Sequence, residues 1–144
     1  MKSTQKVTRV KLNVEQNNDY ILLGLVSTEP DYKLSLSLNK KFRISLKTIP
    51  PVSLTGNNKP DLTFSRFSNN DPTSGFRFTL ISNRCGKNFL LEKLKNIDYL
   101  LQISDGEAEL NLITSNLREI DTITAVFNIS FNTIKDKNIH YLTQ

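Results

Sequence analysis

The chain has 144 residues, 38% hydrophobic and 23% charged, with a formal net charge of +5. That is the size and balance of one globular domain with a real core. No window approaches the ~18 apolar residues of a membrane-spanning helix, and the single cysteine, Cys85, excludes an internal disulfide.

The N-terminal MKSTQKVTRVKLNV is basic but has no apolar stretch of the signal-peptide kind, so a cytoplasmic protein is expected. Val10, Leu12 and Val14 alternate with polar residues, which suggests an edge strand or an ordered arm. Asn17-Asn18-Asp19 is turn chemistry. Tyr20 to Ser27 (YILLGLVS) is an apolar run predicted as a central strand, in which Gly24 marks a close approach or a bulge.

Thr28-Glu29-Pro30-Asp31 is a helix start, with Thr28 as the cap. The start favours a helix through about Lys41, although Leu34, Leu36 and Leu38 also alternate like a strand. Phe42, Ile44 and Leu46 then predict a short strand. Pro50-Pro51, Gly56-Asn57-Asn58 and Pro60 predict a loop over 49–60.

Leu62 to Ser68 and Gly75 to Asn83 read as a hairpin. In its second arm Phe76, Phe78 and Leu80 form a core face opposite Arg77, Thr79 and Ile81. Arg66 shares the parity of Phe64, which predicts a bulge or a frayed end there. Residues 82–88 follow as a loop.

The organising stretch is Asn88 to Ser104, NFLLEKLKNIDYLLQIS. Within it Ile97 to Ile103 predicts a central strand covered on both faces. Asp98 is out of place there, because a carboxylate at a buried strand must sit at its mouth, pair with a donor, or shift its pKa. Asp105-Gly106 opens a second helix with the stripe Leu110, Ile113, Leu117 and Ile120. Ile123, Ala125, Phe127 and Ile129 predict a last core strand, and 131–144 a peripheral tail with one helical turn and a short strand through Tyr141.

Two helices cannot cover both faces of such a sheet. The order therefore predicts an α+β fold, a two-layer sandwich whose mostly antiparallel sheet carries both helices on one face. The plan is ferredoxin-like βαββαβ with extra strands. Residues 1–144 are expected to form a single domain, with 1–9 and 131–144 at its periphery.

Five stretches, DYILLGLVS, PDYKLSLSLNK, FTLISN, KNIDYLL and TAVFNIS, resemble the IPExxVDY family, an uncharacterised group of small proteins from Bacteroidota. Ile97-Asp98-Tyr99 stands where that family has V-D-Y. The I-P-E positions fall on Glu92, Lys93 and Leu94, none of which match. The resemblance implies a fold and a family without an established activity.

Catalytic and cofactor sets are missing from the sequence. One His and one Cys without CxxC or HExxH give no metal ligands, so no metal is expected. His140 reads as a surface residue, and Cys85 in Arg-Cys-Gly-Lys as an unreactive loop thiol beside basic neighbours. No Gly-rich phosphate cradle is present, so no cofactor is expected. Asp98 has Asp105, Glu107 and Glu109 as carboxylate partners for acid–base work, but those three read as acids of a helix's first turn.

Asp98 itself has two readings. In one it takes hydrogen bonds from the backbone, Arg77 or Arg84 at the mouth of the strand, with the Tyr99 hydroxyl at the rim. In the other Ile97, Asp98, Tyr99, Arg77, Arg84 and Lys87 belong to a family motif or a binding surface. The function expected first is a non-enzymatic module that docks on another protein, a second copy included, through a sheet edge or a helix face. The alternative is an RNA- or ribosome-associated domain. It rests on the pI of 9.4 and on ten Lys/Arg against four Asp/Glu in residues 1–60, although FRFTL is only a faint echo of an RNA-recognition strand.

Overall fold

The computed structural model describes residues 21–56, 59–69, 77–104 and 110–130. In chain order these form strand β1 (Ile21–Ser27), helix α1 (Asp31–Phe42), and strands β2 (Lys47–Gly56), β3 (Lys59–Ser68) and β4 (Arg77–Ser82). Two short strands follow, β5 (Arg84–Cys85) and β6 (Asn88–Phe89), then a 3-10 turn at Glu92–Leu94. Strand β7 (Tyr99–Ser104), helix α2 (Leu110–Arg118) and strand β8 (Ile123–Ile129) complete the order.

The main sheet runs β2-β3-β4-β7-β1-β8 with every pairing antiparallel. Strands β4, β7, β1 and β8 with the two helices follow the ferredoxin-like plan. The β2–β3 hairpin is inserted between α1 and β4 and extends the sheet.

Both helices lie on one face. Leu34 and Leu38 of α1 and Ile113 and Leu117 of α2 pack with Leu23, Leu25, Phe78, Leu80, Leu101 and Ile103 in one buried cluster. This is the predicted stripe of α2, with Leu110 and Ile120 at its margins. The opposite face has a second core, in which Leu22, Val52, Phe64, Ile81 and Leu100 meet Leu90, Leu91 and Ile97. The irregular segment 83–97 folds across that face in place of helices. Alternate residues of β7 therefore enter different cores, and Tyr99 to Ile103 are all buried. That accounts for a strand with no charged residue.

Gly24 sits under this second layer. A Cβ there would lie 2.8 Å from the Cδ1 atoms of both Ile97 and Ile129. The predicted close approach is real, and a bulge follows between Val26 and Ser27.

Several expectations are corrected. Thr28 is not the cap of α1. Pro30 holds the N-cap position without a side-chain cap bond, and its carbonyl accepts the Leu34 N–H at 3.0 Å. No strand forms over 42–46. Phe42 ends the helix and packs on Phe78 with ring centres 5.1 Å apart and planes tilted by 52°, while Arg43 turns the chain in the left-handed region (φ 57°). Asn39 Oδ1 then takes the Leu46 N–H at 2.7 Å, tying 44–46 back to the helix end.

Of the residues predicted as a loop, 49–56 lie in β2 and 59–60 in β3, and 57–58 lie outside the described residues. Ile49 pairs with Arg66 and Val52 with Phe64, so Pro50-Pro51 occupy a bulge. β2 is an edge strand, and prolines are tolerated at edges and bulges. The irregularity expected at Arg66 thus lies on the facing strand, and Arg66 Nε donates to the Pro50 carbonyl at 2.8 Å. Ile81, expected on a half-polar face, is buried in the second core.

β8 does not keep one core face. Ser27 pairs with Ile123 but Val26 with Ala125, so the bulge puts Ile123 and Val126 on the helix side and Ala125, Phe127 and Ile129 on the other. Phe127 is 49% exposed. The arm at 10–14, the turn at 17–19, Phe76, Asp105-Gly106, Glu107, Glu109 and the tail with His140 and Tyr141 lie outside the described residues.

Candidate functional site

Ile97-Asp98-Tyr99 enters the sheet between β4 and β1. The Asp98 N–H donates to Leu25 O and its carbonyl accepts the Asn83 N–H, both at 2.9 Å, so the backbone is bonded to each neighbour before β7 formally begins. Ile97 turns into the second core. Asp98 points to the rim, where its side chain is 14% exposed. One carboxylate oxygen accepts the Ser27 N–H at 2.9 Å and the other meets Arg84 Nε at 2.5 Å.

Tyr99 points to the helix side and donates its hydroxyl to the Glu29 carbonyl at 2.5 Å. Asp98 and Tyr99 thus hold the β1–α1 connection at both of its ends. Arg84, about half exposed, lies 5.0 Å over the Phe89 ring, which fixes its planar head beside the carboxylate.

Of the expected residues, Asp98, Tyr99 and Arg84 come together, joined by Ser27 and Glu29. Lys87 is exposed in the β5–β6 turn beside Gly86, whose φ is +62°. Arg77 does not belong to this group. It pairs with Ser104 at one end of β4, whereas Ser82 at the other end pairs with Tyr99.

Burial, and then the negative charges of Asp31, Asp98 and Glu29, push the Tyr99 phenol from its ordinary 10.0 up to about 12. The neutral phenol is the form that fits the fold. Its contribution to stability is therefore complete below pH 10 and is lost as pH climbs toward 12. Alkaline unfolding should show this loss alongside a late phenolate absorbance. Tyr99→Phe should abolish the late phase, and a late phase unchanged in that variant would assign it to another tyrosine.

Sequence reasoning missed Asn83, which is fully buried. Its Nδ2 donates to Leu94 O and Ile97 O, both at 2.9 Å, and its Oδ1 accepts the Leu91 N–H at 2.8 Å. Its carbonyl also accepts the Leu90 N–H at 2.9 Å. This one amide ties the segment covering the second core to the end of β4. An asparagine between two apolar runs was the available signal, but it looks the same as a turn residue.

Cys85 is half-buried against the second core. Among the described residues no three His, Cys, Asp or Glu side chains gather as a metal site, and no helix is long and apolar enough to cross a membrane.

The other feature able to act on a partner is the margin at β8. Among the described residues the outer edge of this strand pairs with nothing. Its sequence, ITAVFNI, has no charge and no proline. The opposite margin, β2, has Lys47, Pro50 and Pro51, residues that deter strand addition, while a bulge is common to both margins, at Pro50-Pro51 in β2 and at Thr124 in β8. Strands β1 and β7 are also uncharged, but both lie inside the sheet. No protein-family model and no curated protein sequence matches the chain.

Proposed function

We propose that the chain is a small cytoplasmic, non-enzymatic interaction module of the IPExxVDY type, which docks by accepting an extended protein segment along β8. One observation carries this reading: β8 has the composition of an interior strand and, among the described residues, stands at an edge. An unblocked edge offers a row of main-chain donors and acceptors, and strand addition satisfies them. Phe127 supplies an apolar anchor on the same strand.

The exposed helix residues Tyr32, Leu36 and Leu112 are single apolar side chains of the kind any surface carries. RNA recognition on a sheet of this plan stacks bases on aromatics of the open face. Here Phe78, the described aromatic of FRFTL, is buried under the helices, and segment 83–97 lies over the opposite face.

The test is capture from native lysate with and without ribonuclease, using the wild-type chain and Phe127→Lys. A protein retained after digestion and lost in the variant supports the reading. Equal capture by both baits, or capture that vanishes with ribonuclease and falls steeply with salt, overturns it.

A further inference from the structure

We infer that the segment added to β8 is β8 of a second copy, forming a two-fold dimer with a continuous sheet across both chains. This rests on the edge reading above and names its occupant. An isologous contact needs a strand that does not repel itself. In a protein of net charge +5, the seven residues Ile123–Ile129 carry no charge. Like charges facing each other across a pair are destabilising, and here none would meet.

The side chains also fit themselves. Antiparallel pairing centred on Val126 sets each Phe127 opposite Ala125 of the second copy. Both residues lie on the face away from the helices, since they pair with Gly24 and Val26 of β1. A half-exposed ring would then cover a small methyl across the junction, twice by symmetry. The same register leaves the exposed Asn128 facing the bulge at Thr124 of the second copy, where no charge opposes it. Pairing turns β8 into the interior strand that its composition already describes.

The experiment is sedimentation equilibrium of the full chain over a concentration series. It compares wild type with Phe127→Lys and Asn128→Lys, both exposed positions that leave the cores intact, and with Leu36→Lys on α1 as a control. Wild type and Leu36→Lys should be dimers that dissociate on dilution. Each edge variant should raise the dissociation constant at least about tenfold.

Monomeric wild type at every concentration overturns self-pairing, and so does a dimer that both edge variants leave unchanged. Capture of a different protein that Phe127→Lys abolishes, by a chain that stays monomeric, overturns self-pairing alone and leaves the edge reading standing. Loss of both dimer and capture in that variant supports both.

Discussion

Asn83→Ala is expected to cost about 3–5 kcal/mol of folding stability, the largest loss from any single polar side chain described above. The truncation leaves Ile97 O and the Leu91 N–H without their partner at a position with no exposure, while Leu94 O keeps only the Ile97 N–H at 3.1 Å. Each buried group left unmet costs about 1–3 kcal/mol. Water entering the space would offset part of that only by wetting Leu90 and Leu91, which are fully buried.

Chemical denaturation measures the total, and amide hydrogen exchange shows where it falls. Protection should collapse first at Leu90, Leu91, Leu94 and Ile97, ahead of Leu100 and Leu101 in β7. A loss below about 1 kcal/mol would show that the covering segment is held by its leucines alone.

Asp98→Ala is expected to cost about 2–3 kcal/mol, and Asp98→Asn about 1 kcal/mol. Alanine leaves the Ser27 N–H unmet at a residue only 4% exposed and removes the partner of Arg84. Asparagine keeps an acceptor for Ser27 and loses only the charge pairing, which is small because Arg84 is half in water. At roughly 3–4 °C for each kcal/mol, the two variants should be separated in a thermal melt. Unchanged melting of Asp98→Asn with lost capture of a partner would move this carboxylate from the clamp to an interface.

Much of this was legible in the residues. The two central strands, the α2 stripe and the two-layer arrangement follow from apolar runs of the right length and period. These are local signals, and tertiary contacts reinforced them. Asp98 was legible as a problem, since a carboxylate beside LLQIS requires a donor. Arg84 was one of two candidates, and Arg77 was the other. Only the β4–β7 register separates them, because it sets Ser82, not Arg77, beside Tyr99.

The errors have physical causes. Pro50-Pro51 reads as a loop to any local rule, yet a bulge on an edge strand tolerates prolines. Phe42, Ile44 and Leu46 alternate as a strand should, but the left-handed turn at Arg43 and the Asn39 amide redirect the chain. Phe127 has the parity of a core residue until one bulge shifts its register against Ser27.

Chain composition alone settled that this is one α+β layer pair built on two uncharged central strands, because burial on both faces leaves its mark in every residue of such a strand. It could not settle which residues close the second face, which arginine meets Asp98, or that ITAVFNI stands at a margin. Those depend on contacts between residues far apart in the chain, such as Ser27 with Asp98. Local periodicity is blind to them because it records which way a side chain points and not what waits there.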